Sequence, residues 1–246
     1  LVLINFVGEM EKTCLTVDIG NSSTKWAVWS GDEIVALGRV PALSESTVES
    51  ITAKYGVIDA VAVSCVGSAE RIPAIEGALI LSASTPLPID ISEYAPGLGA
   101  DRIAAMAGAE ALEPGSAKMI IDYGTAVTYD RLDAGARFAG GNIAPGITTR
   151  FISLRQDTAL LPRVETEGAL RLSSLSTSEA ILSGVMLGIL AEYDIYASLC
   201  PSVFITGGDA PDFLKYLPAS KPIPRYEPNL VHIGLKRIID YNNNEI

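Results

Sequence analysis

The chain has 246 residues, 48% of them apolar and 19% charged, a balance that supports one large folded domain or two closely packed halves. A net charge of −11 with no Lys/Arg cluster excludes a nucleic-acid binder that works through a basic face. Apolar runs are short, which predicts no membrane span, and His232 as the sole histidine excludes a His-based triad or a His-rich metal centre.

The first segment, Leu1 to Lys12, has no initiating Met, while Met10 stands just before the first patterned strand. It reads as a non-native or upstream extension with the natural start at Met10, because it shows neither the basic n-region nor the small-residue cleavage site of a secretory signal. A buried strand is predicted over Thr13 to Ile19, ending in the turn residues Gly20, Asn21 and Ser22. Lys25 to Trp29 and Ile34 to Val40 are two further strands joined by a Gly31-Asp32 turn. Glu45 to Lys54 is helical in pattern, Ala60 to Ser64 is a short strand, and a helical turn is expected near Arg71 to Gly77. The Ala-rich stretch Asp101 to Leu112 is a second helix. After the break at Glu113-Pro114-Gly115 the pattern restarts, with strands over Met119 to Ile121, Ala126 to Leu132 and Phe138 to Ile143. Helices follow over Thr148 to Arg155 and Ser178 to Leu199. The chain then closes with a strand at Val203 to Thr206, a short helix at Pro211 to Tyr216 and a terminal helix at Leu230 to Tyr241.

The restart is visible in single residues. Asp18-Ile19-Gly20 with Thr24 recurs at a constant offset as Asp122-Tyr123-Gly124 with Thr128. A duplicated unit is expected, with halves 13–115 and 116–246. Cys14, Cys65 and Cys200 are odd in number and scattered, so they read as small buried residues in a reducing cytoplasm.

Four motifs carry the chemistry. In Asp18-Ile19-Gly20-Asn21-Ser22-Ser23-Thr24-Lys25, a turn of small residues exposes backbone N–H groups and hydroxyls that can cradle phosphate oxygens. Asp18 can hold Mg²⁺ through water, and Lys25 can neutralise phosphate charge. An ordinary polar hairpin with an Asx turn is the plainer alternative. Asp122-Tyr123-Gly124-Thr125-Ala126-Val127-Thr128-Tyr129-Asp130 repeats the construction, and two such hairpins facing each other could grip an ATP polyphosphate. Gly99-Ala100-Asp101-Arg102 opens a helix. Asp101 is there either a helix cap or a carboxylate that accepts a hydroxyl proton, beside a guanidinium able to bind a substrate carboxylate. Gly140-Gly141-Asn142-Ile143-Ala144-Pro145-Gly146 is either a tight strand-to-helix connection or a nucleotide contact. Phe204-Ile205-Thr206-Gly207-Gly208-Asp209 is a strand entering a turn that either suits the adenosine end of a nucleotide or is only a loop.

In this order, from about Thr13 to Tyr241, the motifs resemble those of the type III pantothenate kinase family, within the superfamily of actin, sugar kinases and acetate kinase. The resemblance implies an α/β fold of two duplicated ribonuclease-H-like, actin-like halves with a nucleotide cleft between them. It implies ATP-dependent phosphorylation of pantothenate on its 4′-hydroxyl, with Mg²⁺ and a monovalent cation, K⁺ or NH₄⁺, as cofactors. Carried over residue by residue, Asp18, Ile19, Gly20, Asn21, Ser22, Ser23, Thr24, Lys25 and Thr125 would take ATP. Asp101 would be the general base, and Gly99, Ala100, Asp101, Arg102, Tyr94 and Thr177 would meet pantothenate. Asp122 would hold the monovalent cation. Family members are usually homodimers with sites near the interface, without nucleic-acid or membrane partners. Ser22 stands where Thr is commoner, Tyr123 where an apolar residue is commoner, and Tyr94 lies closer to Gly99 than the family's tyrosine does. The rival readings are a kinase of the same superfamily acting on another small acceptor, and a non-catalytic regulator of transcription.

Overall fold

A computed structural model describes residues 12–94, 96–158 and 160–243. The expected extension, Leu1 to Lys12, lies outside them except for Lys12 itself.

The strand β1 (Thr13–Ile19) alternates in a way that buries both of its faces. Leu15, Val17 and Ile19 point into one apolar cluster, and Cys14 points into another on the opposite side. β1 pairs antiparallel with β2 (Thr24–Ser30), which pairs antiparallel with β3 (Glu33–Val40), the more exposed edge. On its other side β1 pairs parallel with β4 (Ala60–Cys65), which pairs parallel with β5 (Leu79–Ile80). The crossover between β3 and β4 is α1 (Glu45–Tyr55). Ser44 caps its N-terminus by accepting from the Thr47 amide, and Gly56 at φ 88° ends it.

The second sheet repeats the first. β6 (Lys118–Tyr123), β7 (Ala126–Leu132) and β8 (Phe138–Pro145) form an antiparallel meander, while β9 (Ser202–Thr206) and β10 (Arg225–Tyr226) add in parallel beside β6. The strand orders, β3-β2-β1-β4-β5 and β10-β9-β6-β7-β8, superpose when each sheet is read from its own first strand. That shared order is the duplication.

The layers follow from which face of each strand is apolar. α2 (Ala100–Leu112) and α6 (Leu230–Asn242) share a core with Cys14, Ala27 and Ala62 of the first sheet and with Ile120, Leu132 and Phe204 of the second. Both helices therefore lie between the sheets. α1 covers the outer face of the first sheet, with Ile51 in its core. On the outer face of the second, α3 (Ile147–Gln156), α4 (Thr177–Ala197) and α5 (Ala210–Tyr216) pack over Met119, Ile121 and Tyr123. α4 is long and apolar enough to cross a membrane by length and composition, which the short apolar runs did not suggest. Its Ile181, Leu182, Val185, Met186 and Ile189 are buried in the second core.

Several expectations need correction. The helical turn near Arg71 to Gly77 is a 3₁₀ turn at Ala69–Arg71 instead. Pro73 forces the preceding residue out of the helical region, and Ile72 is extended at φ −93° and ψ 116°. The strands β5 and β10, two residues each, carry no periodicity and were not foreseen. Cys14 is buried, but Cys65 and Cys200 are only partly so, and none of the three is in a disulfide. The repeat also shifts by one residue. Asp18 pairs with Lys25 and Ile19 with Thr24, whereas Asp122 pairs with Thr128 and Tyr123 with Val127. The second turn is one residue shorter, so Thr128 is the counterpart of Lys25, and the buried Thr24 corresponds to the buried Val127.

Candidate active site

The two hairpins face each other across a cleft of about 230 Å³. In the first, the Gly20 amide donates to the Ser23 carbonyl at 3.1 Å and closes the turn. Arg71 braces it from below, donating through Nη2 to the Gly20 carbonyl at 2.6 Å and through Nη1 to the Val66 carbonyl at 2.7 Å. In the second, the Gly124 amide donates to the Ala126 carbonyl at 3.1 Å, and the Thr149 hydroxyl holds the Thr125 carbonyl at 2.6 Å. The Ser22 and Thr125 hydroxyls meet at 3.3 Å, so the tips of the two hairpins touch.

Asp18, Asp101 and Asp122 line this cleft together, with Lys25 and Arg39 as its lysine and arginine. Burial raises the Asp18 carboxyl to about 6. The charge of Lys25 opposes that, and the nearby Asp101 adds to it. Burial, Asp101 and Asp18 raise Asp122 to about 7. Asp18 Oδ1 is buried without a hydrogen-bond partner. Recessed carboxylates that repel each other, one with an orphaned oxygen, fit a bound cation, which would relieve both the desolvation and the repulsion. Among the described residues no three His, Cys, Asp or Glu side chains form a metal cage of their own. The donor set therefore suits a cation that takes its remaining ligands from phosphate oxygens and water.

Asp101 belongs to the first turn of α2, but it is not the cap, because Gly99 holds that place. Its Oδ1 accepts the Arg102 amide at 2.9 Å. A Cβ on Gly99 would lie 2.5 Å from that same oxygen, so the glycine makes room for the carboxylate. Arg102 turns away from the cleft. Its Nε lies 3.1 Å from both oxygens of the buried Asp130, and its Nη1 lies 3.5 Å from the Tyr94 hydroxyl. The rings of Tyr94 and Phe138 flank the guanidinium, 5.7 and 5.8 Å from its centre.

Beyond Lys25 and Arg39 the cleft continues into a second cavity of about 360 Å³, reached past Gly207 and Gly208 and walled by Trp26, Tyr226 and His232. Trp29 Nε1 donates to the Thr16 hydroxyl at 3.0 Å, and that hydroxyl also meets His232 Nδ1 at 3.0 Å and donates to the Ala27 carbonyl at 3.5 Å. His232 is buried beside this hydroxyl. Burial, with Lys25 adding to it, lowers its pKa to about 4, so the ring is neutral at physiological pH.

Residues 14–197 match the family model for type III pantothenate kinase. The chain belongs to the type III pantothenate kinase family. Named type III pantothenate kinases are similar over nearly their whole length. One from Porphyromonas gingivalis is 33% identical, the alignment covering 93% of this chain and 98% of that protein. One from Cytophaga hutchinsonii is 35% identical over 93% of this chain and 99% of that protein. Solved structures share the fold at lower identity. A Campylobacter jejuni protein described as a Baf family transcriptional activator has a TM-score of 0.62 at 23% identity, covering 94% of this chain and 99% of that one. The psk41 ParM protein has a TM-score of 0.55 at 8% identity, over 96% of this chain and 99% of that one. These two show the actin-like fold alone.

Of the residues that the type III family resemblance named, the cleft gathers Asp18, Gly20, Asn21, Ser22, Ser23, Lys25, Asp101, Asp122 and Thr125. Ile19 and Thr24 do not line it, because both are buried beneath the hairpin at a strand pair. Tyr94, Gly99, Ala100 and Arg102 form a neighbouring group behind Asp101 rather than part of the cleft lining. Thr177 lies apart from both groups, exposed in the first turn of α4. The glycine-rich motif after β7 ends in Gly146, the N-cap of α3, so the tight-connection reading holds there. Sequence reasoning missed Arg39, Arg71 and the pairing of Asp130. Arg39 lies opposite Lys25 on β3 and is the only one of these with a signal, since the hairpin register alone would place it at the cleft.

Proposed function

We propose that this chain transfers the γ-phosphoryl group of ATP to the 4′-hydroxyl of pantothenate, giving 4′-phosphopantothenate and ADP, the first step of coenzyme A biosynthesis. The observation that carries this reading is the meeting of two Asp-x-Gly hairpins and the Asp101 carboxylate in one cleft, in a chain of this family.

The turn amides and hydroxyls of Gly20 to Ser23 and Thr125 would hold the phosphates, with Lys25 balancing their charge. Arg39 joins them. Its Nε is spent on the Ser23 hydroxyl at 2.8 Å, so the rest of its guanidinium is available to phosphate oxygens. The adenosine end would lie past Gly207 and Gly208, in the cavity beside Trp26 and His232. Asp18 would hold Mg²⁺, directly or through water, and Asp122 a monovalent cation, K⁺ or NH₄⁺. When bound, such cations neutralise charge on the transferring phosphoryl group. Asp101 orients the acceptor hydroxyl and takes its proton as the new O–P bond forms and the bond to the ADP oxygen breaks.

A homodimer with sites close to its interface would let the exposed Thr177 reach the pantothenate of a second copy. Three cysteines outside any disulfide suit a reducing cytoplasm.

The test is ADP formation by purified protein with ATP and Mg²⁺, with and without pantothenate, in K⁺ and then in Na⁺. Pantothenate-dependent turnover that needs K⁺ supports the reading, including the role of Asp122. Folded protein that binds ATP yet shows no turnover in either salt removes it.

A further inference from the structure

The Arg102 guanidinium, expected from the sequence to be a free cation for a substrate carboxylate, is already held on one edge. Asp130, 1% exposed on β7, takes both Nε and Nη2, the latter at 2.5 Å. The neighbouring strand is shaped around the pair. Gly141 lies opposite Asp130 in the β7–β8 register. A Cβ there would come within 2.4 Å of Asp130 Oδ1 and 2.8 Å of Arg102 Nη2. Phe138 and Tyr94 close the sides, with their own ring centroids 5.2 Å apart. Backbone bonds fix Phe138 to the segment before Tyr94, since the Phe138 amide donates to the Asp90 carbonyl at 2.8 Å and the Asp90 amide to the Ala136 carbonyl at 2.9 Å. What remains of the guanidinium is Nη1, which has only the long contact with the Tyr94 hydroxyl among the described residues.

We propose that Asp130 is a positioning residue for the acceptor. It clamps Arg102 through Nε and Nη2, so that the Nη1 edge, beside the Tyr94 hydroxyl and one residue from Asp101, is the edge offered to pantothenate. The reasoning is entropic as much as electrostatic. A free arginine would have to be ordered by each incoming substrate, whereas a clamped one presents its donor in a fixed direction. Burial pulls the Arg102 pKa down, but the Asp130 carboxylate outweighs it and holds the group above its ordinary value, so the donor stays charged.

This inference rests on pantothenate being the acceptor, and the wild-type assay separates the two. Without wild-type turnover the functional reading fails. With it, the variants test Asp130 alone. Asp130→Asn is expected to raise the KM for pantothenate about ten- to a hundredfold, the scale of a misplaced positioning group, while the KM for ATP stays within about twofold. Because Asp130 acts through Arg102, the double variant Arg102→Gln/Asp130→Asn should have a pantothenate KM no higher than Arg102→Gln alone. A wild-type pantothenate KM in Asp130→Asn, or effects that multiply in the double variant, would overturn the proposal. A purely structural ion pair would move both KM values or neither. Should the variants not fold, ¹⁵N NMR of the unmodified protein decides. The Arg102 Nε–H should exchange slowly and persist when pantothenate saturates the site. Its loss on binding would mean that the substrate carboxylate takes the place of Asp130, and the proposal falls.

Discussion

Asp101 shows how one residue can be read two ways until its neighbours are placed. An aspartate in the first turn of a helix is usually accounted for by capping and the macrodipole. Here Gly99 is the cap, and the Asp101 carboxylate is left over, facing the same cleft as Asp18 and Asp122. Asp101→Asn should therefore lower kcat by about 10²–10⁴-fold, the range for loss of a general base, while ATP binding measured by calorimetry is retained. Full activity in that variant would remove Asp101 from the chemistry. The turn residues of the cleft, Gly20 to Ser23 and Thr125, were legible because short polar turns after apolar strands leave a local signature. Arg102 was legible as a residue but not in its orientation, since nothing local records that Asp130, on a strand of the other sheet, occupies its guanidinium. Arg39 has no motif around it on its edge strand, and only the hairpin register, which sets it opposite Lys25, could have placed it at the cleft.

At the level of elements, strands and helices longer than about five residues were read to within a residue or two, because each carries a clear period. The misses were two-residue strands and a turn that Pro73 moved. The one-residue shift in the repeat came from a turn length, which an ungapped comparison of the two motifs cannot show. The contact between α2 and α6 was also beyond the sequence, and it sets how the helices between the sheets approach. A Cβ on Gly234 would lie 1.7 Å from the Ala104 carbonyl oxygen, and one on Gly108 would lie 2.3 Å from that of Leu230. Gly234→Ala should cost about 1–3 kcal/mol or more of unfolding free energy, as overpacked contacts do. Urea titration measures it, and an unchanged midpoint would show that the helices can part without cost. Because Asp101 opens α2, residual activity in that variant should fall as well.

For the whole molecule, the duplication turns two weak motifs into one site. Each half ends its first strand in a carboxylate, and closing the halves on each other brings both carboxylates into a cleft that disfavours their charge. Asp18 at about 6 and Asp122 at about 7 stand above the ordinary carboxyl value of 3.8. Between 3.8 and those values the folded chain holds protons that the unfolded chain has lost. The stability of the free protein should therefore fall as pH rises through this window and level off above about pH 7. Mg²⁺ and ATP, which need the ionised carboxylates, should raise Tm more at about pH 8 than at about pH 5. Thermal scans across pH with and without MgATP check this, and a ligand shift independent of pH would contradict the cation roles of Asp18 and Asp122.

The measurement that most directly tests the central claim is an acceptor comparison with identification of the product. Purified protein with ATP, Mg²⁺ and K⁺ is offered pantothenate, a hexose and acetate in parallel, and the products are read by mass spectrometry and ³¹P NMR. The account predicts a phosphomonoester of pantothenate on its 4′-hydroxyl, with ADP formed in equal amount and neither rival acceptor modified. Phosphorylation of the sugar or the carboxylate, with pantothenate returned unchanged, would contradict it.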